Sequence, residues 1–244
     1  DDALHVFQLP EDGVISGNMT TPAVSICELP TPSSVAWHPS ARGVIAIGCK
    51  DSIIIANVDF PEFGTSTIPT STVSGRRILS FATPVAAGGD IVSIAWDRAG
   101  SAISAIGKDG ALYVFDPRAA AYDAPMTSVG SVLGEMKNPM FSAFIGPYSE
   151  DATNRLIVLG LGRMRKPCFR LLAVNQDKSL TSQCNGDLSV SSGQLLAQFD
   201  FSAKCLYVLT RSAQSMQIVD LAPILTASPN SAFFQPVLNV PVAA

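Results

Sequence analysis

Between Ile91 and Arg118 short apolar runs alternate with polar turns. Ile91-Val92-Ser93-Ile94-Ala95-Trp96 breaks at Asp97-Arg98-Ala99-Gly100, and Ala102-Ile103-Ser104-Ala105-Ile106 breaks at Gly107-Lys108-Asp109-Gly110. Ala111-Leu112-Tyr113-Val114-Phe115 then closes at Asp116-Pro117-Arg118. Runs this short, rich in β-branched and aromatic residues and bounded by Gly and Asp, predict three strands of an antiparallel meander. Asp109-Gly110 is a strong short-range hairpin signal.

The same unit occurs once before. Val35-Ala36-Trp37, Val44-Ile45-Ala46-Ile47 and Ser52-Ile53-Ile54-Ile55-Ala56 repeat the three strands. Trp37 falls over Trp96, Gly48 over Gly107, and Lys50-Asp51 over Lys108-Asp109. The offset between units exceeds the roughly 40–45 residues of a WD-type propeller blade. An extended Ser/Thr/Pro/Gly-rich loop over 61–89, which carries Arg76 and Arg77, is expected to absorb the excess. A third unit runs from Met140-Phe141-Ser142-Ala143-Phe144-Ile145 through Leu156-Ile157-Val158-Leu159 to Phe169-Arg170-Leu171-Leu172-Ala173-Val174. In it Gly160 to Lys166 replaces the Lys-Asp turn. A fourth uses Leu195 to Asp200, Cys205 to Thr210 and Met216 to Asp220. Ala3 to Phe7 reads as the third strand of an earlier unit, so the chain is expected to start inside a blade, followed by a strand over Ala23 to Cys27.

Helical periodicity with caps is nearly absent. Repeated small sheets with apolar faces must stack on one another, which predicts an all-β, WD40-type β-propeller. Residues 1–221 are assigned to blades, and 222–244 to a Pro-punctuated tail with one possible further strand near Phe233-Phe234. Asp51 and Asp109 sit in the tight turns between second and third strands. There a carboxylate can accept backbone N–H bonds, so both are read as fold determinants. Trp37 and Trp96 follow apolar strand residues and are read as blade core rather than ligand platforms.

Composition narrows the function. With 244 residues, 47% hydrophobic and 15% charged, the chain can bury a sizeable core. A net charge of −4 offers no support for nucleic-acid binding. No apolar run approaches the roughly 18 residues of a membrane-spanning helix. Asp1-Asp2 lacks a methionine and an apolar leader, as expected of a piece of a longer chain or a processed product. Cys27, Cys49, Cys168, Cys184 and Cys205 are odd in number and contain no Cys-x-x-Cys. They are read as reduced thiols of a cytosolic protein, several in the core, against the alternative of disulfides. Only His5 and His38 could join them around a metal, so no metal site is expected.

Enzyme signatures are missing too. Gly160-Leu161-Gly162-Arg163-Met164-Arg165 has Arg165 where a dinucleotide fingerprint needs its third glycine. No Walker loop, Gly-x-Ser-x-Gly elbow or His-Glu-x-x-His is present. No catalytic residue and no cofactor are therefore assigned. His38, before Pro39, is read as capping a strand.

Gly107-Lys108-Asp109 leading to Phe115-Asp116-Pro117-Arg118 resembles the coronin signature, in which a Lys-Asp turn precedes an Asp-Pro-Arg strand end. Ala36-Trp37-His38-Pro39-Ser40-Ala41-Arg42 is similar to the coronin pattern before it. Gly160 to Met164 resembles the Gly-Phe-Ser-Arg-Met turn of the following blade, with Leu161 and Gly162 substituted. Leu195-Leu196 through Asp200, and Asp2 to Gly13, resemble further coronin segments in the right order. The resemblance implies part of a seven-bladed ring that binds actin filaments and regulates their turnover without catalysis, in the cytoplasm and on the cytoskeleton. It transfers no actin-contacting residue. Chemistry nominates Arg76 and Arg77, and Arg163, Arg165 and Lys166, because basic groups on protruding loops complement acidic actin. The alternatives are that these are solvated surface residues, and that the chain is a WD propeller scaffold in another assembly.

Overall fold

The computed structural model describes residues 3–7, 22, 24–50, 52–58, 73–74, 76–82, 90–118, 133–146, 154–177, 179–188, 195–200, 202, 204–210, 215–222 and 238–241. In chain order the strands are β1 (Leu4–Val6), β2 (Val24–Ile26), β3 (Ser34–Trp37), β4 (Val44–Gly48), β5 (Ser52–Asn57), β6 (Val73–Ser74) and β7 (Arg76–Ala82). Next come β8 (Ile91–Trp96), β9 (Ile103–Gly107), β10 (Leu112–Phe115), β11 (Lys137–Phe144), β12 (Asn154–Leu161), β13 (Pro167–Val174) and β14 (Leu180–Asp187). The last are β15 (Leu195–Asp200), β16 (Cys205–Thr210), β17 (Ser215–Asp220) and β18 (Leu238–Pro241). They form five sheets, ordered β1-β2-β6, β3-β4-β5-β7, β8-β9-β10, β11-β12-β13-β14 and β15-β16-β17-β18. All pairings are antiparallel except β2 with β6.

Among the described residues four cores lie between successive sheets, and the two-residue period of a strand explains how one sheet serves two of them. Ile54 packs back toward Val24, Ile26 and Ile47, while Ile53 and Ile55 pack forward against Ile94, Ile103 and Tyr113. Leu156, Val158 and Leu172 meet Ile106 and Leu112, whereas Ile157, Leu159 and Leu171 meet Leu206 and Val219. A strand buried on both faces needs apolar residues at every position, so β5 and β12 read as unbroken apolar runs. The first strands β3, β8, β11 and β15 neighbour one another and form the inner side of a propeller-like stack. Among the described residues no strand pairing joins the first sheet to the last.

Polar bonds tie the sheets where the cores end. The Ser33 and Ser34 hydroxyls donate to the Ile91 carbonyl at 2.7 and 2.9 Å, and the Trp96 indole N–H donates to the Ala36 carbonyl at 3.1 Å. One sheet further on, the buried Ser142 amide donates to Ser93 Oγ at 3.1 Å.

Several expectations need correction. Arg76 and Arg77 are not on a loop. They open β7, which pairs with β5 through Asn57↔Arg76 and Ala56↔Arg77, so the Ser/Thr/Pro-rich stretch supplies the fourth strand of its sheet. Trp37 is not core: it is 48% exposed, against 9% for Trp96. Its register partner Ile45 belongs to the core shared with the first sheet, so Trp37 faces that side of its sheet and not the third sheet that covers Ala36 and Trp96. A strand lies at Leu238–Pro241, while Phe233-Phe234, where the further strand is expected, lies outside the described residues.

Candidate partner-binding surface

Between β12 and β13 the chain turns through a single 3-10 segment, Arg163–Arg165. The Gly162 amide donates to the Lys166 carbonyl at 2.8 Å, and the Lys166 amide to Arg163 at 3.2 Å, closing the turn. Two consecutive side-chain-bearing residues hold left-handed backbone there, Met164 (φ 53°) and Arg165 (φ 58°), and Asn138 (φ 48°) does so on the adjoining strand. Such conformations cost about 1–3 kcal/mol each and persist where the surroundings over-determine them. The outcome is an 85% exposed Met164 held between exposed Arg163 and Arg165, with Lys166 beside them. Sequence reading picked out these three cations but not Met164, for which the only signal was an apolar residue inside a basic run.

Arg163 pairs with Glu135, a hydrogen-bonded ion pair that pushes the already high arginine pKa further up. Lys137, Arg165 and Lys166 have no carboxylate within ion-pair distance among the described residues. A cavity of 390 Å³ lies on one flank of the turn, floored by Cys168, Phe169, Arg170 and Gly186. A second, of 740 Å³, lies on the other, bounded by Lys137, Asn138 and Leu161. Arg76 and Arg77 belong to the second sheet and this turn to the fourth, so the structure does not bring the two basic clusters together.

The described turn aspartates accept backbone amides two residues on. Asp109 accepts the Ala111 amide at 3.0 Å, while the Gly107 amide bonds the Ala111 carbonyl at 2.9 Å and Gly110 takes φ 87°. Asp116 accepts the Arg118 amide at 2.8 Å, and Asp200 and Asp220 repeat that i to i+2 bond at 2.8 Å each. Asp51 lies outside the described residues.

Sequence reading passed over Asp97, which is 1% exposed. Its carboxylate accepts the Ser101 amide at 2.6 Å, the Ser101 hydroxyl at 2.7 Å and the Ala102 amide at 2.9 Å. It also accepts the Asn154 side-chain Nδ2–H at 3.3 Å from the next sheet. His38 likewise joins two sheets. Its Nδ1 accepts the Ser40 and Ala41 amides at 3.2 and 2.8 Å, which places the proton on Nε2 to donate to the Gly100 carbonyl at 3.2 Å. The imidazole lies 4.7 Å from the Trp96 ring.

Among the described residues reactive chemistry is sparse. Burial pushes the Cys168 and Cys184 thiols up, with Asp187 adding to the effect at Cys168. Burial, Asp220 and Asp200 do the same at Cys205, so these thiols are poor nucleophiles. No disulfide and no group of three potential metal ligands occurs among the described residues. No helix there is long and apolar enough to cross a membrane.

Stacked antiparallel sheets joined through their first strands define a WD40-type β-propeller, and comparison with solved structures places the chain in that class. The WD40 domain of Toxoplasma gondii coronin superposes with a TM-score of 0.63 at 19% identity, over 90% of this chain and 50% of that one. The Cps50 (Swd1) β-propeller domain of Myceliophteria thermophila gives 0.53 at 11% identity, over 91% of this chain and 64% of that one. A chain of the mitotic checkpoint complex gives 0.57 at 12%, over 91% and 58%. Among curated sequences, human Coronin-2A is 25% identical over 195 residues, covering 77% of this chain. The chain spans 31% of the length of that relative. No protein-family model matches.

Proposed function

We propose that this chain is a non-catalytic, coronin-like interaction scaffold that binds actin filaments, works on the cytoskeleton in the cytoplasm and needs no cofactor. The observation that carries the reading is a coronin likeness found twice, in sequence over most of the chain and in the superposed fold. The Arg163–Lys166 turn supplies basic groups to an acidic filament surface. Filament co-sedimentation with the whole chain tests it: pelleting at low salt that fades as salt rises is expected, and no pelleting at low salt refutes it.

A second reading, a propeller scaffold in a different assembly, is favoured by the comparable fold likeness to Swd1 and to the checkpoint-complex chain. Charge reversal at Arg163 and Arg165 separates the two. Loss of filament binding supports the first, and loss of another partner with filaments unaffected supports the second.

A further inference from the structure

The two cavities flanking the Arg163–Lys166 turn form one mixed surface, with Met164 as the ridge between them. Its lining carries Lys137, Arg163, Arg165, Lys166 and Arg170 against only Glu135 and Asp187, in a chain whose net charge is −4. Glu135 is committed to Arg163, so the cations on the open side are Lys137, Arg165 and Lys166. An exposed apolar side chain ringed by such cations gains from a partner that buries it and supplies carboxylates in the same contact.

The geometry points to a docking site for an acidic, extended segment of a partner protein, which seats an apolar side chain on Met164 and its carboxylates on Lys137, Arg165 and Lys166. Nucleic acid fits poorly: Glu135 and Asp187 stand in the cavities where phosphates would lie, and the lining aromatic, Phe169, is buried and offers no stacking face. A peptide fits because the backbone bonds from Gly162 to Lys166 and from Lys166 to Arg163 close the turn and hold the ridge beforehand, so binding orders little of this protein. This inference rests on reading the chain as an interaction scaffold and specifies the chemistry of the partner.

The test uses the whole chain and fluorescence anisotropy of a labelled synthetic peptide with a central leucine-phenylalanine pair between aspartates. Two control peptides replace either the aspartates with asparagine or the apolar pair with serine. Expected results are binding of the first peptide alone, and weakening by about tenfold or more in Met164→Ser and in Arg165→Glu/Lys166→Glu. Lys50→Glu, a reversal on another sheet, should bind as the unaltered chain does. Equal binding of all three peptides, or indifference to the Met164 and Arg165/Lys166 changes, overturns the site. Co-sedimentation run in parallel keeps the two proposals apart. Filaments that pellet without peptide binding sink this site and leave the filament reading intact; peptide binding without pelleting does the reverse.

Discussion

Replacing Asp97 with alanine removes one buried acceptor that four donors use. Two of them, the Ser101 amide and hydroxyl, belong to a half-buried residue and can turn to water. The other two lose more: Ala102 is fully buried, and Asn154, whose side-chain oxygen is already buried without a hydrogen-bond partner, loses the acceptor of its side-chain nitrogen as well. Leaving a buried donor unpaired costs about 1–3 kcal/mol. With two such donors and partial relaxation, the expected loss is about 3 kcal/mol, a large share of the roughly 5–15 kcal/mol that holds a typical domain together. For a chain of this size that lowers the melting midpoint by about 6–12 °C. Because Asn154 sits on the fourth sheet and Asp97 on the third, the change should also loosen sheet-to-sheet packing. The assay is thermal unfolding followed by far-UV circular dichroism, with Asp177→Ala as the matched control. Asp177 also accepts the Ser179 amide (3.0 Å) and hydroxyl (2.6 Å), but it does so in water. If the two variants melt together, the buried network contributes nothing and the reasoning fails.

Gly100→Ala should destabilise by about 1–3 kcal/mol, because φ is 67° and a Cβ there would overlap the His38 ring. Gly110→Ala, at φ 87° with only Pro139 nearby at 3.3 Å, should cost about 1 kcal/mol; equal melting points for the pair would remove His38 from the account. In thiol labelling at pH 8, exposed Cys27 should react first, with Cys168 and Cys184 following slowly. Raised pKa values keep buried Cys168 and half-buried Cys184 as thiols, so their labelling rates should keep rising with pH above about 8.5; early saturation contradicts the assignment.

Much of the blade architecture was legible because strands buried on both faces announce themselves as apolar runs. β8 to β10, β12 and β13 all fall where the runs predict. β14 was missed: among the described residues Leu180–Asp187 is an outer strand paired with β13, without a buried position, and needs no apolar pattern. β7 was hidden because Arg76-Arg77-Ile78-Leu79-Ser80-Phe81 sits in a segment whose composition reads as loop. The basic turn was legible as charge but not as shape, since nothing local says that Met164 and Arg165 take left-handed backbone.

By itself the sequence determined the repeating strand-turn-strand unit, its Asp109 turn and the all-β class, because those depend on side-chain alternation and local backbone bonds. Tertiary structure alone decided that Trp96 is covered while Trp37 stands open, that Asp97 is buried and shared between sheets, and that Met164 crowns a basic ridge. Each of those outcomes depends on what the neighbouring sheet places against the residue. A repeat cannot specify that, because the same local pattern faces a different neighbour at every position in the stack.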